Sequence, residues 1–398
     1  MSRDRRVAKW RSMYWLLQWA GVVVGTAALG CGGGGESGGE SSSGGVSAPM
    51  GGMGGRDATD GGTATSGGRR AAGGAGADGW LYTEGNHIYR ADGSVFHGRG
   101  VNLQDTRSCW RCAWNEPNPA EVMRRIDALV DDWHANFIRL TLESYGNDSE
   151  EHSNGAVQYG SVLEDPDYLA DIEAIIAHAG TKPGLVVLLS LWTDPSHNDM
   201  GWPTTLTQDT WRLLARTFGT TPHVMFGIVN EPQSNSNGAL DGDVWTAMND
   251  AVEAIRDEED QAGTPHHVIT VQGTGGWARY LTYYIDHPIQ AGGGENIAYE
   301  VHVYDPQSTF DERFVTPSAT LPVVIGEFGP AESYMTMADC SALMPLAEEH
   351  EVPYLAWTFH MNCPPNLLED TENGCHAGTE LRPSAWGQLL QDRLAQPW

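Results

Sequence analysis

The feature that most constrains the fold is a regular alternation of short apolar runs with helical stretches after residue 78. Eight apolar runs are candidate strands: residues 95–103, 135–142, 185–192, 223–229, 267–272, 297–303, 321–325 and 352–358. Between them, apolar residues recur every three or four positions, and Asn118-Pro119 is a typical helix start. Repeated βα units predict an α/β fold of the (β/α)₈ class, a TIM barrel, as one catalytic domain over residues 78–398.

A doubly wound open sheet is the competing fold. It would require a glycine-rich phosphate turn after the first strand, and residues 98–102 lack the third glycine and the following helix. Residues 80–96, with a turn at Asp92-Gly93, predict a hairpin that precedes the barrel and closes its bottom.

The first 31 residues have the pattern of an export signal. A basic start is followed by an apolar run over residues 13–29 and by Cys31 after small residues. The end of this run resembles a bacterial lipoprotein signal, which implies that Cys31 is lipidated. We therefore expect a protein that is exported and either lipid-anchored to the bacterial cell envelope or secreted. A retained membrane-spanning helix is the alternative, because about 17 apolar residues lie at the lower limit for spanning.

Residues 32–77 predict a disordered linker, because 19 of these 46 residues are glycine and most others are small or polar. The whole chain has a formal charge of −29. Residues 1–77 hold eight basic and five acidic side chains, so the domain carries −32. A field of that sign repels nucleic acids and is compatible with a neutral ligand. We expect a monomer that contacts a membrane only through a lipid anchor.

Six cysteines are present, and Cys31 is assigned to lipidation. Cys340 lies in an apolar helical stretch and is the expected free thiol. The remaining four, Cys109, Cys112, Cys363 and Cys375, are disulfide candidates with three possible pairings. A zinc site is disfavoured because Cys363 and Cys375 lack ligand spacing. We expect no metal and no cofactor.

Two glutamates follow predicted strands. Glu231 lies in Asn230-Glu231-Pro232 after the fourth strand, and Glu327 lies in Gly326-Glu327-Phe328 after the seventh. Residues at the carboxyl ends of barrel strands face one mouth, where the active sites of such barrels lie. Glycoside hydrolysis needs two carboxyl groups, one protonated and one ionised, and a retaining enzyme holds them about 5–5.5 Å apart.

The order of motifs resembles glycoside hydrolase family 5, the cellulase and mannanase family of clan A. The motifs are Arg139, Asn230-Glu231-Pro232, His302-x-Tyr304, Gly326-Glu327 and Trp357. The resemblance covers residues 98–359, nearly the whole domain.

The resemblance implies a role for each matching residue. Glu231 corresponds to the general acid/base and Glu327 to the nucleophile. Asn230 corresponds to the residue that binds the sugar 2-hydroxyl. Arg139 and Tyr304 correspond to the groups that keep the nucleophile ionised, an effect that a nearby cation and a hydroxyl donor also have on physical grounds. His302 lies beside the acid/base pair, and Trp357 corresponds to an aromatic platform under the sugar.

One departure concerns the third strand, which ends in Ser190-Leu191-Trp192 where many members of the family have Asp-x-His. This difference affects the assignment of the substrate and not the type of reaction. His197, in the loop that follows, is a candidate to occupy the position of the missing histidine. Trp192 and Trp277 are further candidates for contacts with a polysaccharide.

The function expected from these features is a retaining O-glycosyl hydrolase, of endo-β-1,4-glucanase or β-mannanase type, that acts on a neutral β-linked polysaccharide or oligosaccharide. Two alternatives have other chemistry. The first is a non-catalytic, carbohydrate-binding surface lipoprotein on the same barrel. The second is a metal-dependent hydrolase, for which no short ligand spacing is present.

Overall fold

Eight parallel strands close into a barrel, as the sequence predicts. A two-stranded antiparallel hairpin, β1 (Tyr82–Glu84) and β2 (His87–Tyr89), precedes them. The barrel strands are β3 (Arg99–Gln104), β4 (Phe137–Leu142), β5 (Val186–Leu191), β6 (Val224–Gly227), β7 (Ile269–Gln272), β8 (Ile297–Val303), β9 (Val323–Phe328) and β10 (Tyr354–Ala356). Each pairs in parallel with its neighbours in chain order, and β10 pairs with β3 to close the ring.

The computed structural model describes residues 79–105, 118–142, 161–191, 201–232, 235–331, 333–369 and 377–398. The predicted signal peptide and linker therefore lie outside the described residues. The same is true of Cys31, Cys109, Cys112, Cys375 and Trp192.

All eight predicted strands are present, and their bounds differ by a few residues. The largest difference is at the first strand, which was expected from residue 95 and begins at Arg99. The reason is that Val95 pairs with Tyr89 in the hairpin region, and Phe96 is buried beneath the barrel.

The hairpin closes the bottom of the barrel, as predicted. Leu81, Ile88 and Phe96 are buried in one apolar cluster with residues at the starts of the barrel strands, among them Phe137 and Val186. The turn between β1 and β2 is at Gly85, which has a φ of 60°, and the predicted turn at Asp92-Gly93 is present after β2. This second turn returns the chain towards the barrel, where Arg90 N–H donates to Ser94 O.

Helices connect the strands on the outside. They are α1 (Pro119–Asp131), α2 (Pro166–Ala179), α3 (Thr205–Phe218), α4 (Asp241–Ala262), α5 (Thr282–Asp286), α6 (Thr316–Ser318), α7 (Met337–Glu349) and α8 (Ala385–Leu394). Short 3₁₀ helices occupy Gly276–Ala278, Ala291–Gly294 and Gln307–Thr309, and a π-helical turn occupies Asp311–Val315. The Asn118 side chain accepts a hydrogen bond from Glu121 N–H, and Pro119 is the first residue of α1. This is the helix start that the sequence predicts.

The main core lies between the barrel and its helices. On the helices it includes Ile126, Ile172 and Trp211, which face the outward side chains of the strands, such as Leu140 and Leu189. Within the described ranges, none of the helices combines the length and the apolar character that crossing a membrane requires.

Candidate active site

The carboxyl ends of four barrel strands bring the predicted functional residues together. Arg139 lies in β4, Glu231 follows β6, His302 lies in β8 and Glu327 lies in β9. The register places His302 beside Glu327 on neighbouring strands. All four side chains lie at one mouth of the barrel, where the residues of a catalytic site on this fold are expected.

The two glutamates face each other at this mouth. A carboxylate oxygen of Glu231, a carboxylate oxygen of Glu327 and a ring nitrogen of His302 lie within 4.8 Å of one another. Glu231 has a φ of 49°, which is uncommon for a residue with a side chain, and its backbone N–H donates to the Gln272 side chain. The backbone of Glu231 is thus held in a defined conformation by the neighbouring strand.

Glu327 is buried among donors. Its Oε1 accepts a 2.8 Å hydrogen bond from Arg139 Nη1, and its Oε2 accepts a 3.0 Å bond from the Tyr304 hydroxyl. Burial raises the pKa of Glu327, and so does the charge of Glu231, whereas the charges of His302 and Arg139 and the Tyr304 hydroxyl act in the opposite direction. When Glu231 and Glu327 together hold one proton, only one of them is charged and they no longer repel each other. The hydrogen-bond donors around Glu327 then favour the negative charge on Glu327 and the proton on Glu231.

The proton of Tyr304 remains on its hydroxyl over a wide pH range. Burial raises the pKa of Tyr304 well above its usual value, and the nearby charges of Glu327 and Glu231 raise it further. Tyr304 is therefore a hydrogen-bond donor to Glu327 near neutral pH.

Arg139 is fully buried and connects several strands. Its Nη2 donates to Asn230 Oδ1 at 2.7 Å and to Ser190 Oγ at 3.3 Å, and its Nη1 also donates to Asn102 Oδ1 at 3.0 Å. Because the Oδ1 of Asn230 accepts this bond, its amide nitrogen is the end of the side chain that can donate to a ligand. Ser190 is the first residue of Ser190-Leu191-Trp192, the segment that departs from the family pattern.

His302 lies between two carboxylates. Its Nδ1 is 2.9 Å from Glu231 Oε1, and its Nε2 is 3.0 Å from Glu300 Oε1. Burial alone would lower the pKa of His302, but the charge of Glu327 and the hydrogen bonds to Glu231 and Glu300 outweigh burial and raise it to about 9. His302 is therefore a cation near neutral pH and donates from both ring nitrogens.

Sequence reasoning missed Glu300 and Gln272, although both belong to the same hydrogen-bonded cluster. Gln272 Nε2 donates to Glu300 Oε1 at 2.8 Å. Glu300 could have been found from the sequence, because it lies two residues before His302 in an apolar strand. Its side chain is therefore expected on the same face of the strand as that of His302. A carboxylate inside such a strand needs buried partners, which a search limited to strand ends does not find.

Glu231, His302 and Glu327 are also close enough together to be considered as ligands of a metal ion. The hydrogen bonds explain the same proximity without one, because both ring nitrogens of His302 are directed at carboxylates. A protonated imidazole has no lone pair for a metal. The donor set is therefore better suited to handling protons than to binding a metal.

The predicted aromatic contacts are only partly located. Trp357 is buried, with 3% of its surface exposed, and its carbonyl accepts a 2.8 Å bond from Trp386 Nε1. Trp277 adopts a φ of 66°, and its backbone N–H donates to Pro232 O at 3.0 Å, next to Glu231. The contacts of both tryptophans with a sugar stay predictions, as does the role of Trp192.

The cysteines give one clear result. Cys340 is a buried free thiol in α7, as expected, and burial raises its pKa to about 12. Cys363 accepts a hydrogen bond of 3.5 Å from Gln104 Nε2. Its pairing with one of the other three candidates stays a prediction.

Comparison with known proteins places this geometry in a family. The family model described as Cellulase (glycosyl hydrolase family 5) matches residues 91–362. A curated endoglucanase of Halalkalibacter akibai is 24% identical over 186 residues, which are 44% of this chain and 21% of that protein. An endoglucanase C of Evansella cellulosilytica is 26% identical over 192 residues, again 44% and 21%. The chain thus spans about a fifth of the length of the curated relatives it matches.

Solved structures show the same fold at low identity. The catalytic domain of a Thermobifida fusca endoglucanase has a TM-score of 0.60 and 19% identity, over 79% of this chain and 97% of that one. Because the family model covers more than half of the chain and includes both glutamates, this chain belongs to glycosyl hydrolase family 5.

Proposed function

We propose that this protein is a retaining glycoside hydrolase that cleaves a neutral β-linked polysaccharide or oligosaccharide, with β-1,4 linkages in a glucan or a mannan. The observation that carries the proposal is the proximity of Glu231 and Glu327, whose carboxylate oxygens lie within 4.8 Å. Retaining enzymes have carboxyl groups about 5–5.5 Å apart, whereas inverting enzymes separate them by about 6.5–9.5 Å to admit a water.

Glu327 is proposed as the nucleophile. Arg139 and Tyr304 donate to its two oxygens and stabilise the ionised form. In the first step, one oxygen of Glu327 bonds to the anomeric carbon as the glycosidic bond breaks, which gives a covalent glycosyl–enzyme intermediate.

Glu231 is proposed as the general acid and base. In the first step it gives its proton to the departing glycosidic oxygen. In the second step it takes a proton from a water molecule, which attacks the anomeric carbon and releases Glu327. Its contact with His302 supports this role, because a cation at 2.9 Å stabilises the carboxylate that forms when the proton leaves.

Three further residues are proposed to bind the sugar. Asn230 has its amide nitrogen available for the 2-hydroxyl, since Arg139 occupies its oxygen. Trp357 is proposed to contact the apolar face of the pyranose, and Trp277 lies close enough to the Glu231 turn to contact the departing sugar.

The substrate class rests on the relatives and on charge. Two neighbours of the same fold are a Saccharophagus degradans β-glucanase with cellotetraose and a Streptomyces thermolilacinus β-mannanase with mannohexaose, at TM-scores of 0.58 and 0.55. The domain charge of −32 favours a neutral glycan over an anionic polymer such as a nucleic acid.

One experiment tests the reaction and its stereochemistry. The protein is incubated with a panel of β-glucans and β-mannans, and the first-formed product is followed by proton NMR. Initial appearance of the β-anomer supports the proposal, and initial appearance of the α-anomer contradicts the retaining mechanism. Binding without release of any reducing sugar would instead identify a non-catalytic carbohydrate-binding protein.

We further propose that the enzyme is exported and anchored through a lipid on Cys31. The basic start, the apolar run and the small residues before Cys31 support this proposal. A glycine-rich linker of 46 residues would then allow the domain to reach polysaccharide away from the membrane surface.

A further inference from the structure

A third carboxylate, Glu300, lies beneath the two that are proposed to react. Its surface is 0% exposed, and its Oε2 accepts a 2.6 Å bond from the Thr270 hydroxyl. Its Oε1 lies 2.8 Å from Gln272 Nε2, 3.0 Å from His302 Nε2 and 3.2 Å from Arg139 Nε. An ionised carboxylate buried at this depth is stable only with several partners, and Glu300 has three hydrogen-bonding partners and an ion pair with Arg139.

Glu300 is connected to both ends of Glu231. On one side, His302 joins the Glu300 carboxylate to the Glu231 carboxylate. On the other side, Gln272 donates to Glu300 and accepts from the backbone N–H of Glu231. These bonds form a closed ring, so the position of the Glu231 side chain depends on where Glu300 lies.

Glu300 is also connected to Glu327. The Arg139 guanidinium group forms ion pairs with both carboxylates, with its Nε 3.2 Å from Glu300 Oε1 and its Nη1 2.8 Å from Glu327 Oε1. Glu300 is therefore adjacent to each of the two cations that contact the reacting carboxylates, namely Arg139 and His302.

We propose that Glu300 is a positioning residue for the reaction: it orients His302 towards Glu231, and its negative charge keeps in the site the proton that Glu231 must donate. This inference rests on the proposed function, and it adds a residue that acts through His302 and Arg139 and does not touch the substrate.

The charges of the cluster support the second part of the inference. Among the titratable groups, Arg139 and His302 contact Glu300 directly, and these two connect it to Glu231, Tyr304 and Glu327. With Tyr304 neutral, the cluster contains two cations, Arg139 and His302, and three carboxylates. Its net charge is therefore −1, and one additional proton makes it neutral. Without the charge of Glu300, the cluster is already neutral with both reacting carboxylates ionised. The charge of Glu300 thus favours retention of the proton.

The electrostatic balance at each group is consistent with this arrangement. Burial alone would raise the pKa of Glu300, but Arg139 and the bond from His302 lower it to about 2. Glu300 is therefore negative near neutral pH, and His302 is paired with an anion there.

The neighbouring strand leaves space for this carboxylate. A Cβ atom at Gly326 would collide with the Glu300 side chain, so glycine is required beside it. Gly326 directly precedes Glu327, which places Glu300 immediately below the nucleophile.

The test compares the pH dependence of kcat/KM for the wild type and Glu300→Gln on a polysaccharide that the wild type hydrolyses. Loss of the Glu300 charge, which only the His302 ring separates from Glu231, should move the alkaline limb, which reports the essential proton, about one pH unit or more towards acid. On an aryl glycoside with an activated leaving group, which does not need the proton, the loss of rate should be at least tenfold smaller. An unchanged alkaline limb in an active Glu300→Gln enzyme would overturn the inference.

A matched control is available at the opposite end of the barrel. Glu259 is also buried, and it pairs with Arg256 and with His267, which precedes β7. Glu259→Gln should destabilise the protein through the same kind of contact and leave the pH profile unchanged. An equal shift in this variant would mean that the effect of Glu300→Gln is only structural.

A direct measurement does not depend on the folding of a variant. Nitrogen-15 NMR of the His302 ring in the wild type, assigned by its loss in His302→Gln, should show both nitrogens protonated at pH 7. A neutral ring at pH 7 would overturn the inference. Wild-type enzyme that hydrolyses no β-glycan would contradict the proposed function instead, and the NMR result would then still report on the charge of His302.

Glu300→Asp keeps the charge and shortens the side chain. It should lose activity without the shift of the alkaline limb that Glu300→Gln shows. A shift of equal size in Glu300→Asp would contradict a role for the charge.

Discussion

Arg139 and Glu327 join the second and the seventh strands of the barrel through a 2.8 Å bond between Nη1 and Oε1. Arg139 is 0% exposed and Glu327 is 4% exposed, so this ion pair is almost excluded from water. A buried pair of this kind gives little net stability relative to an apolar replacement, because both charges lose their hydration. The pair is important here for its geometry, since the guanidinium group holds Glu327, the proposed nucleophile, and Asn230 at the same time.

Arg139→Lys should reduce kcat by about 10²-fold or more, because one ammonium group cannot reach all of the acceptors that the guanidinium group holds, and small misplacements in a site have effects of this size. The measurement is kcat on an activated aryl glycoside. Arg216→Lys is the control, because its pair with Glu258 lies at the surface and should matter little. Equal activity of Arg139→Lys and the wild type would show that the several contacts of the guanidinium group are dispensable.

Stability should depend on pH through the buried cluster. The pKa of His302 is raised from 6.5 to about 9, so its contribution is complete below pH 6.5 and is lost as the pH rises to 9. The pKa of Glu300 is lowered from 4.5 to about 2, so its contribution is complete above pH 4.5 and is lost as the pH falls towards 2. The free energy of unfolding should therefore be highest between about pH 4.5 and 6.5.

Denaturant unfolding from pH 3 to 9 measures this window. Other buried acids contribute to the acid side, among them Glu259, whose pKa is also lowered. The difference between the wild type and Glu300→Gln isolates the cluster. A difference that increases from pH 6.5 to 9 would contradict the assignment.

The sequence was sufficient to predict the barrel, all eight strands and the two facing glutamates. The reason is that parallel barrel strands have apolar patterns of their own, and their ends meet at one mouth whatever the details of packing. The position of Glu231 after β6 and of Glu327 in β9 follows from chain order alone.

The hydrogen-bonded ring beneath the site could not be predicted in the same way. It depends on register, which places Gln272 beside Glu300 and His302 beside Glu327. The register shifts between the pairs Val301–Ile325 and His302–Glu327, which leaves Gly326 of β9 without an opposite residue, and no sequence pattern locates this shift. In the hairpin region the turn predicted at Asp92-Gly93 is present, whereas the turn at Gly85 between β1 and β2 was not predicted.

Cys31→Ser should release the protein from the membrane fraction, because it removes the proposed lipid attachment site. Fractionation of cells that express the full chain, with mass spectrometry of the mature amino terminus, measures this. Cys340→Ser is the control, since that thiol is buried inside the domain. Unchanged membrane association with residues 13–29 still attached would instead indicate a retained membrane-spanning segment.

A disulfide should restrain the rim of the cleft. The loops after the first and eighth strands are neighbours in the closed barrel, because β10 pairs with β3, and they carry Cys109, Cys112, Cys363 and Cys375. Closing a loop such as 363–375 should stabilise the fold by about 3 kcal/mol on the chain-entropy model. Peptide mapping under non-reducing conditions identifies the pairs, and recovery of all four thiols as free would contradict the prediction.

The roles of the two reacting glutamates should separate by leaving group. Glu231→Ala should reduce the rate on a natural glycan by about 10²–10⁴-fold, because a poor leaving group needs the proton that Glu231 supplies. With an activated aryl glycoside the first step should persist, and azide should restore turnover and give a β-glycosyl azide, since the nucleophile Glu327 is intact. Glu327→Ala should abolish turnover on every substrate, and azide should give at most the α-anomer. The measurements are initial rates on both substrate types and the anomeric configuration of the azide product. If Glu327→Ala is active on the aryl glycoside while Glu231→Ala is dead, the roles are reversed; if both variants degrade natural polysaccharide, neither carboxylate carries the reaction.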